Sequence, residues 1–231
     1  MPDLNLIQKI AIWVIPVLLA VTLHEAAHGW VANRLGDPTA RMLGRLTLNP
    51  IKHIDPIGTV LVPAILLLLP GHFLFGWARP VPVSPRNFKH PRRDMALVGA
   101  AGPCANLLMG VAWCIVARVG VSLPASAAHV SLPLALLGVA GIFVNVLLLV
   151  FNLIPLPPLD GGRVASGLMP REWARVYDRI EPYGFWILLL LIVTPILGLI
   201  LWPPVSALLG ALASAAGMGG GEFVVLLQML M

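Results

Sequence analysis

Apolar residues in this chain come in long runs separated by short polar and proline-rich stretches, with little of the alternation that marks a half-buried sheet. The runs extend from about Leu6 to Ala32, Ile57 to Trp77, Met95 to Val119, Leu134 to Leu156, Tyr183 to Trp202 and Val205 to Met231. A membrane-crossing helix needs roughly 20 apolar residues. The first, third, fourth and fifth runs meet that length. The second is interrupted by Pro63 and Pro70-Gly71, and the last by Gly217-Met218-Gly219-Gly220-Gly221. The pattern predicts an all-α polytopic membrane protein with five to six membrane segments, one of them a re-entrant piece. No basic cluster precedes the first run and no small-x-small site follows it, so it reads as a retained helix rather than a signal peptide.

Composition supports the same class. Of 231 residues, 58% are apolar and only 11% charged, against about 25% charged in an ordinary soluble domain. Mean hydropathy is +0.91. These values exclude a soluble enzyme, a disordered tail and a disulfide-stapled module, and make the lipid bilayer the first partner. Cys104 and Cys114 lie ten residues apart in one apolar run and read as small buried residues rather than a disulfide.

Charge adds orientation. The net charge is +5, and thirteen of the 15 Lys and Arg residues fall in three connections: Arg34 to Lys52, Arg79 to Arg93, and Arg163 to Arg179. The connection Gly120 to Pro133 has none. Basic stretches between apolar runs indicate cytoplasmic loops facing anionic lipid, not nucleic acid. The second run then enters and leaves on one side, which suits a re-entrant segment. Two short β-strands are also expected at the cytoplasmic face, Met42 to Leu48 and Gly76 to Val83, the second reading equally as a polyproline-like connector. As a strand, the latter has one edge blunted by Pro80 and Pro82 and the other able to pair, as with an extended substrate by strand addition.

The chemistry concentrates in His24-Glu25-Ala26-Ala27-His28. Histidines at i and i+4 share a helical face and can reach one metal ion, with Glu25 beside them to address a water. Three ionisable groups within five residues of a membrane helix cost roughly 2.5–3.5 kcal/mol each near the bilayer centre, which marks them as functional. A catalytic zinc usually takes three protein ligands. The third candidate is Asp160, which closes Asn152-Leu153-Ile154-Pro155-Leu156-Pro157-Pro158-Leu159-Asp160-Gly161. Spacing alone allows it equally to be a solvated turn residue. His53 reads as a group supporting the site or as a turn residue.

His24-Glu25-x-x-His28, then Gly102-Pro103-x-x-Asn106, then Asn152-x-x-Pro155-x-x-x-Leu159-Asp160-Gly161 resembles, in order and spacing, the site-2 protease family of intramembrane zinc metallopeptidases. The likeness covers roughly residues 6 to 165, which gives two parts: a protease core over 1–165 and C-terminal membrane helices over 166–231. It implies one Zn2+ per chain held by His24, His28 and Asp160, with Glu25 as catalytic base. Asn152 would orient substrate or stabilise the oxyanion, and Asn106 would pack near the site or touch substrate. It implies membrane-anchored protein substrates and a multi-pass protein of the cell membrane with its active site toward the cytoplasm. Two rivals remain, a membrane metal-binding or transport protein and an inactive homologue that acts as a binding partner. Few polar residues in the third and fifth runs oppose the first, and the intact Glu25 opposes the second.

One geometric condition follows. If His24, His28 and Asp160 share an ion, they lie at one membrane depth, so the first and fourth runs must be parallel. That requires an even number of crossings between them. The second run must therefore not cross, which is also what the distribution of basic residues requires.

Overall fold

The computed structural model describes residues 4–61, 65 and 76–231. Helix α1, Leu6–Arg34, starts at a reciprocal cap: the Asn5 side chain accepts the Gln8 N–H at 2.9 Å and the Gln8 side chain accepts the Asn5 N–H at 3.0 Å. A short helix α2, Thr39–Met42, follows. Helices α3, Pro91–Ser122, and α4, Ala128–Asn152, form a long hairpin. Beyond it lie α5, Asp160–Leu168; α6, Arg171–Tyr177; α7, Glu181–Val193; α8, Ile196–Ala215; and α9, Gly220–Leu230.

Helices α1, α3, α4 and α8 are long and apolar enough to cross a membrane. The fifth run divides differently from expectation. Thr194-Pro195 breaks it, and Pro203-Pro204, expected to separate two segments, lies inside α8. Membrane helices tolerate proline within them, and the pair at 203–204 is such a case. The expected re-entrant stretch begins as a π-helical turn, Pro56–Leu61, whose first amides at Ile57 and Gly58 donate to Asp55. Apart from Ile65, the remainder up to Gly76 lies outside the described residues.

No β-strand occurs among the described residues, so the two expected strands are corrected. Met42 closes α2, and the chain then turns through Gly44, whose φ of +62° lies in the left-handed region. The Arg45 guanidinium donates to the Lys52 carbonyl and the His53 ring meets the Thr47 carbonyl at 2.9 Å, so the loop closes on itself. Residues 76–84 are extended but unpaired with any strand. Pro80 and Pro82 remove donors from one edge, as expected. On the other edge Trp77 N–H donates to Gly58 O (3.0 Å), Arg79 N–H to His53 O (2.9 Å) and Val81 N–H to the Glu25 carboxylate (2.8 Å). These donors are used up within the protein, which removes the ladder that strand addition would need.

The hairpin packs through small residues. A Cβ on Gly120 would sit 2.4 Å from the Ala135 nitrogen, and one on Gly138 would sit 2.5 Å from the Ala117 nitrogen. Close backbone approach of this kind is how helices associate where lipid supplies no hydrophobic drive. The pairs 120/135 and 117/138 step in opposite directions, so α3 and α4 are antiparallel. On the other side, His28 meets Val98 and His24 meets Asn106, so α1 is also antiparallel to α3. Helices α1 and α4 are therefore parallel, as a shared metal requires. Val139, Ile142 and Val146 of α4 form the core with Val205, Leu209 and Ala213 of α8 and Phe223 of α9. Arg92 of α3 donates to the carbonyls of Ser166 and Met169 at the end of α5, where a cation suits the helix dipole.

Beyond the end of α1, Asp37 is fully buried. It accepts hydrogen bonds from the Thr39 hydroxyl and amide, the Asn87 side chain and the Ser84 amide, joining the loop after α1 to the segment before α3. Burial pushes its carboxyl up, but these donors outweigh it and hold it below its ordinary value of 3.8. A lowered native pKa stabilises fully above the unfolded value and is lost as pH falls through the native one.

Two outcomes are expected. Gly138→Val should cost on the order of 1–3 kcal/mol by overpacking, read as a lower unfolding midpoint in detergent. The Ser84 amide should stay protected from hydrogen exchange at neutral pH and open only as pH falls below 3.8. Asp37→Ala should open it at every pH and cost about 1–3 kcal/mol.

Candidate metal centre

The apolar run of α4 cannot continue past Asn152, because Pro155, Pro157 and Pro158 each lack the donor a helix needs. The chain instead makes successive turns, Leu156 N–H to Ile154 O (2.7 Å) and Leu159 N–H to Leu156 O (2.8 Å), with a cis bond between Pro157 and Pro158. Asp160 then opens α5, where the positive end of the helix dipole favours a carboxylate. The C-terminal helices support this turn. A Cβ on Gly184 of α7 would lie 1.8 Å from the Pro157 carbonyl oxygen, so only glycine permits the contact.

The turn delivers Asp160 to the two histidines. Its Oδ2 lies 3.1 Å from His24 Nε2 and 3.2 Å from His28 Nε2, and the two Nε2 atoms are 3.0 Å apart. All three residues are more than nine-tenths buried. Tetrahedral zinc with bonds of roughly 2.0–2.1 Å separates its ligand atoms by about 3.3 Å, close to this triangle. These atoms could hold one metal ion.

Hydrogen bonding on the far side of each ring favours that use. His28 Nδ1 is 2.6 Å from the Val98 carbonyl oxygen, which only accepts, so Nδ1 carries a proton and, in the neutral ring, Nε2 keeps its lone pair. His24 Nδ1 is 2.6 Å from Asn106 Oδ1, with the same result. Asp160 Oδ2 is buried without a hydrogen-bond donor. Two lone pairs and a carboxylate oxygen thus face one another in an apolar bundle, an arrangement that a cation satisfies. Space is reserved for it: a Cβ on Gly102 would lie 2.4 Å from His28 Nε2 and 2.6 Å from His24 Nε2.

Glu25 is half-buried next to this cluster on α1, with one carboxylate oxygen accepting the Val81 N–H. The Asn152 side chain is turned back on its own helix, donating to Leu148 O at 3.0 Å. Asn106 supports His24 and also donates to Asn145 on α4. His53 closes a turn by its contact with Thr47 O. Sequence reasoning missed Asn145, the Val98 carbonyl and the Val81 amide. Backbone groups leave no trace in residue identity. Asn145 does leave one, as an amide inside an otherwise apolar run.

A family model described as peptidase family M50 matches residues 118–194. The protein named "Putative zinc metalloprotease YwhC" of Bacillus subtilis (strain 168) is 43% identical over 84% of this chain and 85% of its own length. Two proteins named "Putative zinc metalloprotease Rip2" are also similar. That of Mycolicibacterium smegmatis is 35% identical over 78% of this chain and 66% of its own length. That of Mycobacterium tuberculosis (strain ATCC 25618 / H37Rv) is 30% identical over 80% and 70%. No solved structure matches the chain.

Gly102→Ala should lower zinc bound per purified chain at least tenfold, because its methyl group occupies the space between the imidazoles. Gly210→Ala, which meets nothing within 4 Å, should leave zinc content unchanged. Metal analysis of the two proteins side by side checks this.

Proposed function

The chain belongs to peptidase family M50, the site-2 protease family, and on that premise we propose that His24, His28 and Asp160 hold its zinc and that Glu25 is the catalytic base. The protein is an intramembrane zinc metalloprotease with a multi-pass fold. The observation that carries the residue assignment is the triangle of Nε2, Nε2 and Oδ2 atoms at 3.0–3.2 Å, with both Nδ1 atoms engaged elsewhere.

Zinc at such a site supplies a Lewis acid and a water acidic enough to react at neutral pH. The remaining work falls to the chain. Glu25 takes the proton of the attacking water and returns it to the leaving amine. Its carboxylate is steadied by the Val81 N–H through one oxygen. The Asn152 amide would be released from Leu148 O to orient the substrate or meet the developing oxyanion.

The substrates are proposed to be membrane-anchored proteins. An open apolar groove lined by Leu23, Ala27, Trp30, Leu48, Leu108 and Met109 runs beside the HExxH turn, and its chemistry suits an apolar segment rather than a soluble peptide. The basic connections Arg34 to Lys52 and Arg79 to Arg93 adjoin the cluster end of the bundle. Under the positive-inside rule this supports a cell-membrane location with the active site toward the cytoplasm. The proposed core, 1–165, carries every ligand, and residues 166–231 buttress it through the Gly184 contact.

The test compares wild type and Glu25→Gln, purified in detergent and offered a single-span substrate and the same scissile sequence as a soluble peptide. Wild type should cut the single-span substrate in preference. Glu25→Gln should lose about 10²–10⁴-fold in rate while retaining zinc. Activity surviving in that variant would remove the base assignment, and equal cleavage of the soluble peptide would remove the membrane-anchored substrate.

A further inference from the structure

A second buried amide stands behind the first. Asn106 and Asn145 are each fully buried, one on α3 and the other on α4, and their side chains meet in the middle of the bundle. We propose that Asn145 is a positioning residue for the zinc site: by orienting the Asn106 amide, it fixes which ring nitrogen of His24 carries the proton. This rests on the reading of His24 as a zinc ligand.

Polarity follows from the two ends of the chain of hydrogen bonds. Gly141 O is a backbone carbonyl and only accepts, so the Asn145 group facing it at 2.8 Å is the amide nitrogen. The Asn145 oxygen is left to face Asn106, and accepts from its amide nitrogen at 2.9 Å. Ala20 O, 3.4 Å from that same nitrogen, demands the same orientation. The Asn106 oxygen is thereby turned toward His24 and accepts from Nδ1 at 2.6 Å. With its proton on Nδ1, His24 keeps the Nε2 lone pair for the metal. A flipped Asn106 would present its NH2 to Nδ1, move the ring proton to Nε2 and aim it into the ligand cluster.

The relay thus runs from a carbonyl of α4, through α3, to a ligand on α1. Mere filling of space does not need it, since leucine has the same branched shape and number of heavy atoms and carries no polar group to desolvate in an apolar helix. An amide buried in a membrane helix carries a desolvation cost unless its groups are paired. Here each group is used in the one direction that leaves His24 Nε2 unprotonated.

The experiment uses the full chain in detergent: wild type, Asn145→Leu and Asn145→Asp. Zinc affinity is read by chelator competition, and the His24 Nδ1–H of zinc-loaded protein by its exchange-protected proton resonance. Asp at 145 keeps an acceptor for Asn106 and, in its protonated form, a donor for Gly141 O. It should bind zinc within about threefold of wild type. Asn145→Leu should weaken zinc about 10–100-fold, the range for lost support of a metal-ligating histidine, and lose the protected resonance. A folded Asn145→Leu with wild-type zinc affinity and an intact resonance would overturn the proposal. So would folded Leu and Asp variants that lose zinc equally. Should the Leu variant fail to fold, a wild-type protein lacking a protected His24 Nδ1–H would overturn it alone. Wild type that binds no zinc would instead overturn the ligand assignment beneath it.

Discussion

Two imidazole nitrogens and a carboxylate oxygen are held 3.0–3.2 Å apart inside an apolar helical bundle, each presenting a lone pair to the others. In low dielectric such a cluster is unfavourable without a cation. It persists because each ring is pinned from behind, by Val98 O and by Asn106, and because the proline-rich turn after α4 leaves Asp160 no other direction. Most of the architecture follows from this constraint. Helices α1 and α4 must be parallel to bring their late turns to one depth. Helix α3 must run between them in the opposite sense and be narrow at Gly102. The connection from α1 to α3 must begin and end on one side.

The parts of this arrangement that depend on residue type were legible in the sequence. His24 and His28 share one helical face with Glu25 beside them wherever that helix lies, and Asp160 follows from motif order. Parallel α1 and α4 follow from counting crossings. What depends on backbone geometry was not legible. The segment from Gly76 to Val83 reads as a strand edge, and its donors do point one way, but they end on Gly58 O, His53 O and Glu25 instead of a neighbouring strand. Pro195 and Pro203-Pro204 are equivalent breakers in sequence, yet only the first interrupts a helix. The role of Asn106 was open between packing and substrate contact. The distance to His24 Nδ1 places it behind that imidazole instead.

The C-terminal helices enter the same logic from outside the ligand set. The family model spans residues 118–194, across the boundary expected at 165, and Gly184 explains why these parts belong together. Its lack of a side chain lets α7 rest directly on the Pro157 carbonyl. A turn rich in proline has few internal hydrogen bonds, so its rigidity must come from neighbours. Helix α5 is held to α3 by Arg92, and α7 closes the other side of the turn.

Glu25, as the proposed base, meets the opposite requirement from the proposed ligands. A ligand must offer a lone pair and be unable to donate; a base must hold charge and yet remain able to take a proton. The extended segment supplies a donor sparingly. Val81 donates its N–H to Glu25, while the next donor on the same edge, Arg79 N–H, is taken by His53 O. Arg45 holds this segment through the carbonyls of Arg79 and Pro80, leaving its own charge outside the hydrogen bond to Glu25. The donors of this edge are thus divided between the protein's own backbone and Glu25, which fixes the carboxylate through one oxygen and leaves the other free of that contact.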